Sequence, residues 1–149
     1  MQLPYCFLFY LFITVQPVFA QNSIEITDAW ISEAPPTVKI LAGYFTIKNL
    51  SADPVDLITA YSPAFERVEF HLTKTRDGVA HMQKEEIITI PAQTEFSFSP
   101  GEYHLMLFNP TNAPKSGDLI PLQLTFSNGI RIDVDVEVKR GNQTGHHHH

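Results

Sequence analysis

The sequence predicts an all-β domain, a sandwich or barrel of about nine strands, and two features carry that expectation. Between residues 23 and 138 the chain is a series of short runs rich in Val, Ile, Phe, Thr and Tyr, separated by Pro, Gly, Asn and Asp clusters at fairly even spacing. Short strands punctuated by turn residues in this way are the pattern of two packed or closed antiparallel sheets. The last run shows the second feature. Ile130, Ile132, Val134, Val136 and Val138 alternate with Arg131, Asp133, Asp135, Glu137 and Lys139, so one face is apolar and the other wet, as in a half-buried antiparallel strand. No helix of normal length is evident.

In order, the strands are expected at 24–31, 38–48, 55–61, 67–75, 87–90, 96–98, 103–108, 119–126 and 130–138. Asp53-Pro54, Asp77-Gly78, Pro91-Ala92, Pro100-Gly101 and Asn128-Gly129 lie between them and supply the fixed or positive φ that a reversal needs. At Asn128-Gly129 a two-residue turn would set apolar Phe126 opposite Arg131. A three-residue loop over 127–129 instead pairs Phe126 with Ile130, with glycine in the left-handed position, and is preferred. Neither an internal repeat nor a linker divides the domain.

Residues 1–20 are almost wholly apolar and carry no charge, ending in Val18-Phe19-Ala20. They read as a secretory signal cut after Ala20, so that the mature chain begins at Gln21. The first Lys or Arg is Lys39, so the usual basic start is missing and an uncleaved anchor is the alternative. Gln16 and Pro17 interrupt the run and leave it short of the ~20 apolar residues of a spanning helix. The single cysteine, Cys6, lies inside this leader, away from any cleavage boundary where a lipid-modified cysteine would sit. Disulfides, thiol catalysis and thiolate metal sites are thereby excluded from the mature domain. Its stability must come from a core that about 130 residues can build as one unit, 21–140. The net charge is −6 and the ten Lys and Arg are scattered, which disfavours nucleic acid as a partner. No nucleophile motif, paired-acid signature or phosphate-binding glycine loop stands out, so no enzymatic activity is expected.

With cysteine gone, histidine and methionine are the side chains able to bind a transition metal strongly. After the leader there are two methionines, Met82 and Met106, and three histidines in the folded part, His71, His81 and His104. In a strand, positions i and i+2 share a face, so His104 and Met106 project together. A two-residue type I′ turn at Asp77-Gly78 would set Thr73 opposite Met82 and make His71 its diagonal neighbour on one face. A three-residue loop would send Met82 to the other face. His81, beside Met82, would face away as a solvent-exposed histidine. Neutral thioethers and imidazoles together favour Cu(I) over Cu(II) or zinc. Taken alone, these residues leave two readings open, because methionines on strands are ordinarily core filler and strand histidines are ordinarily surface hydrogen-bonders.

The spacing narrows the choice. His71, ten intervening residues, Met82, twenty-one more, then His104-Leu105-Met106 resembles the signature of the PCu(A)C family of periplasmic copper chaperones. Asp28-Ala-Trp30 before Pro35-Pro36, Ala42-Gly-Tyr-Phe45 leading to Asn49, Val68-Glu-Phe-His71, Pro100-Gly-Glu-Tyr-His-Leu-Met106 and Gly117-Asp118 extend the likeness over the mature domain. The resemblance implies a cupredoxin-like, antiparallel Greek-key β-sandwich that binds one Cu(I) through His71, Met82, His104 and Met106. It further implies a monomeric periplasmic carrier with no membrane insertion after signal cleavage. Its copper would go to the dinuclear copper A centre of cytochrome c oxidase subunit II, in concert with a Sco-type protein. Copper buffering without a dedicated acceptor, and a metal-free structural sandwich, are the alternatives.

The tail 141–149 is polar and ends in His146, His147, His148 and His149. It is expected to be flexible, and a purification tag is one reading of its histidines; as a native run they resemble the His-rich C-terminal extensions of some family members, which implies a second, harder site for Cu(II), weakening as pH falls through the ~6.5 of free histidine. Asn49-Leu50-Ser51 and Asn142-Gln143-Thr144 match the glycosylation acceptor pattern and are read as chance.

Overall fold

The computed structural model describes residues 23–141. The expected leader 1–20 with Cys6, the expected start at Gln21 and the terminal His146, His147, His148 and His149 lie outside the described residues.

Ten strands form: β1 (Ile24–Ser32), β2 (Ile40–Asn49), β3 (Val55–Tyr61), β4 (Phe65–Arg76), β5 (Val79–Glu85), β6 (Ile88–Ile90), β7 (Thr94–Phe98), β8 (Tyr103–Pro110), β9 (Leu119–Phe126) and β10 (Arg131–Lys139). The nine expected strands are all present, and the tenth is β5. Every residue of β5 but the last is exposed, so neither face carries the alternation that marks a half-buried strand. Its hairpin partner alone holds it in place.

One hydrogen-bonded path runs β5-β4-β8-β2-β1-β10-β9-β3-β6, with β7 also on β2. The sheet folds back on itself at β1. That strand pairs antiparallel with β2 along both halves, while its last residues, Trp30 to Ser32, pair with β10. The β1–β10 pairing is parallel, the one departure from the expected antiparallel arrangement. A register shift between Thr27 and Trp30, with Asp28 at φ 54, bulges β1 just before it takes β10 as its second partner. Bulges of this kind bend a strand and increase its twist.

The folded sheet encloses a single core. Phe45, Phe70, Leu105 and Leu107 come from one side and Leu57, Leu122, Leu124, Phe126, Val136 and Val138 from the other. Phe45 stacks on Phe98 at 4.4 Å between ring centroids, and Phe98 meets Phe70 edge-on at 6.2 Å. Gly43 lies where β2 is flanked by both β1 and β8, and a Cβ there would come 3.1 Å from Leu107 Cδ1. Side-chain absence is what lets the strands close at that point. Asn49 is buried, and its amide reaches the carbonyls of Asp53, Ile90 and Pro91 while its oxygen accepts from Ser51. Its place in an acceptor-like tripeptide therefore reflects a structural amide that ties three segments together. The last hairpin takes the three-residue loop: Phe126 N donates to Ile130 O at 2.9 Å and Gly129 sits at φ 83.

Candidate metal centre

Three strands carry the His and Met side chains. On β4, Val68 and Phe70 turn inward to the core, so strand alternation turns Arg67, Glu69, His71 and Thr73 to the outer face. The β4–β5 turn has two central residues, Asp77 at φ 52 and Gly78 at φ 75, the positive pair of a type I′ hairpin. Arg76 pairs with Val79, Thr73 with Met82 and His71 with Lys84. Met82 is thus the diagonal neighbour of His71 on the outer face, and His81 pairs with Lys74 on the alternate side.

On β8, His104 is the direct cross-strand partner of His71, and Met106 that of Glu69. On its other flank Met106 faces Ala42 of β2, whose methyl group leaves the thioether room. The four predicted residues therefore lie on one face of three adjacent strands. Their exposure differs sharply: His104 is 6% exposed and Met82 64%, with the His71 side chain at 12%.

Hydrogen bonds fix which nitrogen of each ring is bare. His104 Nδ1 lies 3.0 Å from the Glu102 carbonyl, and a carbonyl can only accept, so Nδ1 carries the proton and Nε2 keeps its lone pair. The Pro100-Gly101 turn, with Gly101 at φ 85, presents that carbonyl, which also accepts from Thr73 N at 3.2 Å. His71 Nε2 lies 2.9 Å from a Glu69 carboxylate oxygen, which puts the His71 proton on Nε2. Its Nδ1 is the one buried side-chain nitrogen or oxygen without a hydrogen-bond partner among the described residues. Leaving a buried acceptor unpaired costs about 1–3 kcal/mol, a cost that a cation at the lone pair would offset.

The ring centroids of His71 and His104 are 6.0 Å apart. A metal bound to an imidazole nitrogen at ~2.0 Å sits roughly 3.2 Å from the ring centroid, so two rings on one ion are separated by at most about 6.4 Å. The observed separation falls within that limit. Among the described residues no group of three His, Cys, Asp or Glu side chains could hold a metal, so further donors on this face would be the thioethers. Glu69 is braced by Arg67 at 3.2 Å and Lys84 at 3.7 Å. The hydrogen bond from His71 is the main reason its carboxyl is held below the ordinary carboxylate range; burial opposes this, and Arg67 and Lys84 reinforce it. Arg67 in turn lies 3.8 Å over the Phe108 ring.

Sequence reasoning singled out the four His and Met residues but not the groups behind them. Glu69 had a readable signal, since it is two residues before His71 and must share its face. The Glu102 carbonyl had none, because a backbone acceptor depends on the turn that aims it. A separate groove of about 680 Å³ lined by Trp30, Tyr44, Pro100, Lys139 and Arg140 contains none of the four residues.

The model of the LpqE-like putative lipoprotein family matches residues 24–138. The putative lipoprotein Lxx21020 of Leifsonia xyli subsp. xyli (strain CTCB07) is 28% identical over 119 residues, covering 79% of this chain and 70% of that protein. The uncharacterized protein RP573 of Rickettsia prowazekii (strain Madrid E) is 26% identical over 130 residues, covering 83% and 70%. Among solved structures, the copper-bound PCuAC domain from PmoF2 superposes with a TM-score of 0.69 at 21% identity, covering 82% of this chain and 97% of that one. The Cu(I) form of DR1885 from Deinococcus radiodurans does so with a TM-score of 0.65 at 26% identity, covering 81% and 83%. The chain belongs to the LpqE-like putative lipoprotein family and has the cupredoxin-like all-β fold of PCuAC domains.

Proposed function

We propose that this protein is a copper carrier that binds one Cu(I) through His71, Met82, His104 and Met106 and passes it on. The observation that carries the reading is the bare, buried Nδ1 of His71 beside His104, on the face that Met82 and Met106 share. Copper-bound and Cu(I)-bound structures of similar fold support copper as the cargo. Two imidazoles and two thioethers are neutral and soft, a set that suits Cu(I). Binding and release is the whole of the chemistry, with no enzymatic step. An exposed thioether is the natural point of exchange: an incoming ligand attacks the ion from the Met82 side before the histidines let go.

The relatives named as lipoproteins support an extracytoplasmic location, and the leader makes the periplasm the compartment of choice. This chain differs from a lipoprotein in having its one cysteine, Cys6, within the leader, so cleavage after Ala20 would release a soluble monomer. The acceptor is cytochrome c oxidase subunit II at its copper A centre, directly or through a Sco-type protein. His146, His147, His148 and His149 would form an auxiliary Cu(II) site.

Titration of Cu(I) against a competing chelator tests the ligand set. The double variant Met82→Ala plus Met106→Ala should lose most of the affinity, and unchanged affinity would sink the four-ligand site. Deletion of the gene tests the role: loss of oxidase activity at low copper is expected, whereas copper sensitivity with normal oxidase would point to buffering.

A further inference from the structure

We infer that Glu69 is a positioning residue for the copper site, holding His71 in the tautomer and orientation that leave Nδ1, not Nε2, as its metal-binding atom. This inference rests on the copper reading above. Glu69 lies two residues before His71 on β4 and shares its outward face. One carboxylate oxygen accepts from His71 Nε2 at 2.9 Å. The other is held by Arg67 Nε at 3.2 Å and approached by Lys84 Nζ at 3.7 Å. Arg67 is itself seated on Phe108, the next outward residue after Met106 on β8. The carboxylate therefore has both oxygens engaged, and its negative charge is met by two cations.

Two consequences follow for the site. A carboxylate-bound N–H fixes the ring plane and raises the basicity of the opposite nitrogen, as outer partners of metal-bound histidines do. His71 and His104 consequently present different atoms. His71 offers Nδ1, adjacent to its Cβ-bearing carbon, whereas His104 donates Nδ1–H to Glu102 O and offers Nε2 at the far end of its ring. Two neighbouring rings, 6.0 Å apart, thus offer unlike nitrogens to the one ion of the proposed site. Arg67 and Lys84 also occupy Glu69, so the carboxylate stays a brace and does not become a hard oxygen ligand that would favour Cu(II) or zinc.

The test uses the mature protein and Cu(I) alone. Long-range proton–nitrogen correlation NMR on the apoprotein, well above the ~6.5 of free imidazole, reads both tautomers without metal. The expected result is a proton on Nε2 of His71, seen as a hydrogen-bonded N–H resonance, and on Nδ1 of His104. Glu69→Ala should abolish that His71 resonance, leave the His104 signals in place and weaken Cu(I) binding by about 10- to 100-fold in chelator competition. Glu69→Gln, whose amide oxygen can still accept, should keep the resonance and restore most of the affinity. In a His71→Ala background Glu69→Ala should have no further effect. A proton on Nδ1 of wild-type His71 overturns the inference, as does unchanged Cu(I) affinity in Glu69→Ala, or an equal loss with and without His71. The apoprotein spectrum decides even where Glu69→Ala does not fold. Failure of wild-type protein to bind Cu(I) would instead overturn the copper reading.

Discussion

Met82 and Met106 carry the same thioether in opposite settings, and the difference separates what each contributes. Met106 is half-buried between Glu69 and Ala42, whereas Met82 stands 64% exposed on the hairpin arm. Truncating Met106 removes packing as well as a donor of the proposed site, so Met106→Ala should lower unfolding free energy by about 1–2 kcal/mol, below the 2–5 kcal/mol of a fully buried methionine. Met82→Ala should change stability by less than about 0.5 kcal/mol. Its effect should fall on exchange: with one exposed donor gone, Cu(I) passes to a competing chelator faster in stopped-flow transfer. Equal stability losses in the two variants, measured by urea unfolding, would contradict this division.

The β4–β5 hairpin decides whether Met82 belongs to the site at all. Its two-residue turn needs positive φ at Asp77 and Gly78, and nothing lies within 4 Å of the position a Gly78 Cβ would take. A substitution there acts through backbone strain alone. Gly78→Val should cost about 1–2 kcal/mol, confined to the hairpin because β5 buries almost nothing. Faster amide exchange along β5, weaker Cu(I) binding and an unaltered main melting transition are the expected outcome. Asn49 gives the contrasting case, an element-level knot inside the core. Asn49→Ala strips partners from the Asp53, Ile90 and Pro91 carbonyls and should cost about 2–4 kcal/mol, read as a lower melting temperature. These elements also show how far the sequence is readable. The β10 alternation and the shared face of His104 and Met106 follow from residue order, because a strand with one wet face writes its period directly. The type I′ turn follows from Asp-Gly, and with it the side on which Met82 lies. By contrast β5 leaves no period, since neither face is buried, and the parallel β1–β10 pairing joins opposite ends of the domain with no local signal. Glu69 is legible as a neighbour of His71 but not as its brace, because that role depends on Arg67 and Lys84 arriving from two strands.

At the scale of the molecule, core and site are on opposite faces of the same strands. Phe70, Leu105 and Leu107 point inward while His71, His104 and Met106 point outward, so the core closes without any contribution from a metal. Residues 23–141 contain no cysteine, and no disulfide supports them. Stability of the apoprotein should therefore be cooperative and indifferent to reductant. Copper should then act as an added ligand of the native state only, stabilising by RT ln(1 + [L]/Kd). At free Cu(I) one hundred times Kd this is about 2.7 kcal/mol, which for a domain of this size raises the melting temperature by roughly 10 °C. The rise should grow with the logarithm of free Cu(I), buffered by a chelator, while the far-ultraviolet circular dichroism of the folded state stays the same. Met82→Ala plus Met106→Ala should remove most of the rise. An apoprotein that gains its β-structure only when copper is added would refute the separation of core from site, because the fold would then depend on the ion.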